Sequence, residues 1–224
     1  MKTVLIDQPF GLGDIFFLQK IAYYYLEKDY EVIWPVIDKF MYVSEYIKND
    51  IKFVKQNSKI TYDKKVNLAI FNTLKSESCM EARYKAAGID FRDWANYFKF
   101  ERNLKREDAL YYKTLNLKDD SEFALINNNV SDRQQKFNVN SKLNKIYMKI
   151  YHKSHIFDWC KVFEKAAEIY TVDTSIQFLI EVLHTTEKLH VWPRSNKDGF
   201  IHINNLFNKN WIMHTKPRRF KWQQ

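Results

Sequence analysis

The chain has 224 residues, of which 46% are hydrophobic and 17% aromatic; that suits one large or two small packed domains and is too apolar for a disordered chain. Lys and Arg number 36 against 27 Asp and Glu, a formal net charge of +9, which fits a nucleic acid, an anionic lipid or a phosphorylated small molecule as partner, and equally fits a Lys-rich, Asn-rich coding bias. No apolar run approaches the roughly 18 residues of a membrane span, and the two distant cysteines, Cys79 and Cys160, make neither a disulfide framework nor a zinc ribbon.

Taken in chain order, the opening Met1-Lys2-Thr3-Val4-Leu5-Ile6 reaches Asp7 at once and is too short and strand-like for a signal peptide, so a cytoplasmic location is expected. Thr3 to Ile6 predicts a buried strand. A loop from Asp7 to Gly13 follows, then an apolar stretch from Asp14 to Lys28, long enough for four helical turns, with Asp14 as its N-cap. Glu31 to Trp34 predicts the next strand, stopped by Pro35. Such a β-loop-α-β unit builds parallel sheets. Further strands are expected at Ile51 to Lys55 and Val66 to Phe71, and helices at Phe40 to Lys48 and Ser78 to Ala87, the second ending near Gly88. The charged segment Lys105 to Asp120 ends in turn-prone residues and marks a domain boundary.

Beyond it the pattern restarts: strand Phe123 to Ile126, polar loop Asn127 to Lys136, strand Lys145 to Ile150, helix Phe157 to Ala167 and strand Glu168 to Val172. Then come Asp173-Thr174-Ser175, an apolar helix to His184, and strand Lys188 to Trp192 stopped by Pro193. The expected fold is α/β, with two small Rossmann-like domains facing a cleft: residues 1–118, residues 119–205, and a basic C-terminal segment, 206–224, that is either a tail or packs back on the first domain.

The loop Pro9-Phe10-Gly11-Leu12-Gly13-Asp14 carries the clearest functional signal. The chain has four glycines and two of them are Gly11 and Gly13, between a strand and a helix start, where parallel sheets bind ligands. A tight strand-to-helix turn without a ligand is the plainer alternative. The third glycine of a dinucleotide fingerprint is replaced by Phe16, and no Walker sequence exists. Asp14 repels phosphate but suits a general base. Thr174 and Gln177 form a capping-box pattern, which is either a plain helix start or a site where hydroxyls and amides hold a diphosphate. In the loop after Ile126, Arg133 and Lys136 offer charge to a phosphate, or are simply solvated. His152, His155 and Cys160 fit no zinc spacing. No Asp-x-Asp occurs, and no nucleophile elbow.

Gly11-Leu12-Gly13-Asp14-Ile15 at the opening of the first helix resembles the N-terminal motif of heptosyltransferase-like glycosyltransferases (GT-B fold, family 9 type). Asp173-Thr174-Ser175, followed by an apolar helix and the Leu189 to Val191 strand, resembles their Asp-Thr-Gly donor loop. Ser175 stands where that family has glycine, Phe178 where it has histidine, and the chain is shorter than typical members. The resemblance implies an inverting, metal-independent transfer, without a cofactor, from a nucleotide-diphospho-sugar to the hydroxyl of a glycan or glycolipid. Asp14 would be the base, in an acceptor-side first domain that also brings Gly11 and Gly13 to the substrate. Asp173, Thr174, Ser175, Arg133 and Lys136 would hold the donor in the second domain. The competing reading is a nucleic-acid-binding or other non-catalytic module, supported by the net charge and by Lys216-Pro217-Arg218-Arg219-Phe220-Lys221-Trp222, where basic and aromatic residues alternate. A glycosyltransferase fold that binds sugar nucleotides without turnover is a third.

Overall fold

The structure, a computed structural model, describes residues 1–8, 11–70, 79–130, 133–152, 154–194 and 206–214. The basic-aromatic tail from Lys216 to Trp222, along with Pro9 and Phe10, lies outside them.

The first half is built on β1 (Lys2–Asp7), α1 (Leu12–Phe17), α2 (Gln19–Leu26), β2 (Tyr30–Val36), β3 (Ile51–Lys55), β4 (Lys64–Asn67) and α3 (Cys79–Ala87). Its strands are all parallel, in the order β3-β2-β1-β4. A short helix, α4 (Leu104–Asp108), runs on into a wider π turn, Ala109–Thr114. The second half holds β5 (Phe123–Asn127), the hairpin β6 (Asn129–Val130) and β7 (Arg133–Gln134), β8 (Asn144–Tyr147), α5 (Cys160–Lys165), β9 (Glu168–Val172), α6 (Ser175–Glu181), β10 (Leu189–Trp192) and β11 (Trp211–Met213). Its main sheet is also parallel, in the order β11-β10-β9-β5-β8.

The fold is therefore α/β with two parallel sheets. Every residue of β5 is buried, as expected of a strand covered on both faces. Phe123 and Leu125 face the main core, while Ala124 and Ile126 face a second cluster with Tyr170, Val172 and Trp192. That second face is sealed by Phe137, Val139 and Leu143 from the connection to β8, which carries a hairpin where the sequence suggested only a polar loop.

One core runs through both halves. Phe16 stacks on Phe98 at 4.5 Å and meets Phe157 at 5.4 Å. Tyr46 Oη donates to Oδ1 of buried Asp158 at 2.7 Å, and Arg106 pairs with the other oxygen at 2.8 Å. Leu206 accepts from the indole of Trp94 at 2.7 Å, and Phe207 packs near Trp94 and Phe178. From there the chain adds β11 to the second sheet.

Several expectations need correction. The helix predicted from Asp14 to Lys28 is two helices separated at Leu18 (φ −90°, ψ 4°). The first begins at Leu12, with Gly11 as N-cap, so Asp14 lies inside the first turn and caps nothing. Pro35 does not stop β2. Val36 C=O accepts from Gln56 N–H on the β3 side, so Pro35 points the other way, beyond Ile33, the last residue of β2 paired with β1. A missing N–H costs no ladder bond there. The helix placed at Phe40 to Lys48 is a tighter 3₁₀ turn over Asp38–Glu45. The charged run after Lys105, for which no element was expected, is helical: Glu107 and Tyr111 are buried, and Arg102 pairs with both Glu107 and Glu164. Thr174 forms no capping box, since its side chain makes no cap hydrogen bond to α6.

Candidate functional site

Each sheet has one point where successive connections leave in opposite directions: between β1 and β4 in the first, between β5 and β9 in the second. Loops at the C-terminal ends of such strands diverge and leave a crevice for ligands. Asp14 follows β1. Asn127 ends β5, and Asp173, Thr174 and Ser175 follow β9.

These two places touch. A Cβ on Gly13 would lie 3.1 Å from the ring of Phe178 and 3.4 Å from Ser175 Cα. The absence of a side chain at Gly13 lets α1 and α6 approach closely, which gives this residue a packing role within the candidate site. Gly11 has φ +85°, and a Cβ there would collide with the Asp14 carboxylate. Glycine here both permits the backbone turn and leaves room for the acid.

Asp14 is held by two groups that the sequence did not single out. Gln8 Nε2 donates to its Oδ2 at 2.6 Å, and Arg83 on α3 pairs with its Oδ1. Gln8 is fixed in turn, since its carbonyl accepts from the Trp34 indole at 2.9 Å. Arg83 is 3% exposed and Asp14 15%. Burial pushes the Asp14 carboxyl above the ordinary aspartate value of 3.8; Arg83, the Gln8 hydrogen bond and, more weakly, Arg194 pull it back down. A partly shielded carboxylate with a raised pKa and an oriented head group is suited to accepting a proton.

On the facing side, Asn127 Nδ2 donates to Thr171 Oγ1 at 2.9 Å and reaches Thr174 Oγ1 at 3.4 Å. Asp173 is fully buried and paired with Arg194, which follows β10. The β6–β7 hairpin is tied to the same segment: Arg133 Nη2 donates to the Arg194 carbonyl at 3.3 Å, and Gln135 Nε2 to the Pro193 carbonyl at 2.8 Å. Asp14, Gly11, Gly13, Asp173, Thr174, Ser175 and Arg133 thus gather around the junction of the two halves. Lys136 is exposed and makes no hydrogen bond or ion pair with the described residues. Arg194, Arg83 and Gln8 are additions. Only Gln8, six positions before Asp14, had a local signal.

His155 stacks its ring on Tyr42 at 4.1 Å and its backbone N–H donates to Asp158 Oδ2 at 2.8 Å, while Cys160 is a buried free thiol. Among the described residues no three His, Cys, Asp or Glu side chains are grouped as metal ligands, and no helix is long and apolar enough to cross a membrane.

No protein-family profile matches the chain, and no curated protein matches it. Solved structures do. A glycosyl transferase family 9 protein from Veillonella parvula superposes with a TM-score of 0.59 at 9% identity, over 98% of this chain and 88% of that one. The bacterial iron-containing dodecameric glycosyltransferase TibC from enterotoxigenic E. coli gives 0.54 at 7% identity, over 86% of this chain and 57% of that one. The heptosyltransferase TibC in complex with ADP-D-beta-D-heptose gives 0.53 at 10%, over 87% and 58%. The chain thus has the fold of glycosyl transferase family 9 structures, and spans a little over half the length of TibC.

Proposed function

We propose that this chain is a glycosyltransferase that moves a sugar from a nucleotide-diphospho-sugar to an acceptor hydroxyl, with inversion and without a metal. The observation that carries the proposal is the placement of Asp14. It is an oriented carboxylate at the β1/β4 crevice, next in sequence to Gly13, which packs against Ser175 at the end of the loop that follows β9, in a fold whose neighbours are glycosyltransferases. A neighbour solved with an ADP-sugar supports a donor of that class.

In the proposed reaction Asp14 takes the proton of the acceptor hydroxyl as its oxygen attacks the anomeric carbon. The bond from that carbon to the diphosphate oxygen breaks from the opposite face, and the nucleoside diphosphate leaves. Gln8 and Arg83 keep the carboxylate aimed during this step. Donors on the second half offset the charge that grows on the leaving diphosphate: the hydroxyls of Thr174 and Ser175 and the guanidinium of Arg133, with Lys136 able to reach in from the surface.

Asp14→Asn is the test. Asparagine keeps the shape and the capacity to accept from Gln8 but takes up no proton, so transfer should fall about 10²-fold or more, while nucleoside diphosphate binding stays within a few-fold of the parent. Undiminished turnover by folded Asp14→Asn protein would remove Asp14 as the base.

A further inference from the structure

Asp173 bears the sequence mark of a ligand-contacting loop, yet it presents no surface to a ligand. It is fully buried, and both carboxylate oxygens face one guanidinium: Arg194 Nη2 at 3.1 Å from Oδ1 and Arg194 Nε at 3.3 Å from Oδ2. Its backbone N–H donates to the Trp192 carbonyl at 2.9 Å, so the loops after β9 and β10 are fastened twice.

Arg194 is placed the opposite way. Its side chain is 43% exposed. A guanidinium has five N–H donors in a planar fork, and Asp173 takes two, leaving three for solvent or a ligand. Arg133 is brought to the same rim through the Arg194 carbonyl, and Gln135 secures the hairpin on Pro193. Two guanidinium-bearing residues therefore share one edge of the crevice at the β5/β9 switch point, beside the Thr174 hydroxyl. Across the junction Asp14 is paired with Arg83 and feels Arg194 only as a weaker influence.

We propose that Arg194, gripped by Asp173 and flanked by Arg133, is the cation that receives a diphosphate at this site, and that Asp173 is a positioning residue acting through it. A planar fork held by a buried carboxylate is set up for two-point recognition of phosphoryl oxygens, and its rotamer freedom is surrendered before the ligand arrives, which lowers the entropic cost of binding. The assignment of the diphosphate to a nucleotide sugar rests on the glycosyltransferase reading; the anion site itself does not.

Calorimetric titration with inorganic pyrophosphate and with ADP, UDP and GDP tests this on the full chain. The parent should bind pyrophosphate and at least one nucleoside diphosphate. Arg194→Gln alone would strand a buried carboxylate and endanger folding, so the informative variant is Asp173→Asn with Arg194→Gln, which removes both charges together. Its affinity should be about 10- to 100-fold lower, the worth of a charge-assisted contact. Asp173→Asn alone separates positioning from simple charge: deleting a negative group near an anion site tightens binding unless it frees the cation, so weaker binding is expected. A parent that binds none of the four probes, a double variant with parental affinity, or Asp173→Asn binding as tightly as the parent or more so overturns the proposal. Arg194-dependent diphosphate binding without any sugar transfer would instead sink the transferase reading and leave this site standing.

Discussion

Replacing Arg83 by methionine removes a guanidinium that is 3% exposed and leaves Asp14, 15% exposed, against an apolar thioether. Breaking a buried pair from one side costs about 3–5 kcal/mol. Gln8 still donates to the acid and a path to water remains, so a loss at the lower end, about 3 kcal/mol, is expected at neutral pH. The deficit should depend on pH, with a definite sign. Burial already raises Asp14 above 3.8 and Arg83 is the first influence opposing it, so its removal raises the carboxyl further. A carboxyl whose folded pKa exceeds its unfolded value holds its proton more tightly when folded. Its contribution is fully present below the unfolded value and is lost as pH rises through the folded one, by at most about 1.4 kcal/mol per pH unit. Urea unfolding at about pH 5 and about pH 8 should therefore show the Arg83→Met deficit shrinking on the acid side. Adding Asp14→Asn should restore most of the lost stability, because no charge is then stranded. A deficit that ignores pH, or that survives in the double variant, would refute the assignment of Arg83 as the partner that neutralises Asp14.

Gly13→Ala weighs a helix-propensity gain of up to about 1 kcal/mol against overpacking of about 1–3 kcal/mol. Phe178 is boxed by Trp94, Phe207 and Phe17 at 5.4, 5.0 and 5.7 Å and has little room to yield, so a net loss of about 1 kcal/mol is expected. Thermal unfolding checks this, and a raised melting temperature would argue against the close contact between α1 and α6. Transfer activity should survive EDTA, because the chain lacks Asp-x-Asp and no three-ligand group occurs among the described residues. Activity lost to the chelator and restored by manganese would overturn the metal-independent mechanism.

Strands with a strong local signature were legible in the sequence. β3 and β9 have the predicted ends, and β5 was missed by one residue, because a run of β-branched and aromatic residues between polar turns needs no tertiary information to read. No helix was expected over α4, because part of what holds it lies far off in the chain: Arg102 pairs with Glu107 nearby and with Glu164, 62 positions on. The same limit applies at the site. Gly11 and Asp14 announced themselves through glycine economy and loop position, but Arg83 is 69 residues from Asp14 and Arg194 is 21 from Asp173. Nothing about either arginine in its own neighbourhood marks it as a partner. β11 escaped for another reason: three residues that pair only with β10 are too few to carry a period.

The electrostatics of the junction follow from how these partners are distributed. Each facing loop contributes one carboxylate, and two unpaired carboxylates on one crevice would repel any phosphorylated ligand. Each is instead matched within its own half, Asp14 by Arg83 and Asp173 by Arg194, so the two acids are offset before a ligand arrives. The pairs differ in exposure. Arg83 is sealed away and serves the acid, while Arg194 keeps donors free on the surface and is joined there by Arg133. This distribution is the one the proposed reaction requires: a carboxylate to act as base on the first half, and exposed guanidinium groups to meet an anion on the second. Gly13 admits Ser175 and Phe178 at contact distance, which brings the start of α1 against the start of α6. A side chain at Gly13 would press on both Phe178 and Ser175, so under the proposed reaction Gly13→Ala should disturb the second-half loop as well as the packing of α1 on α6.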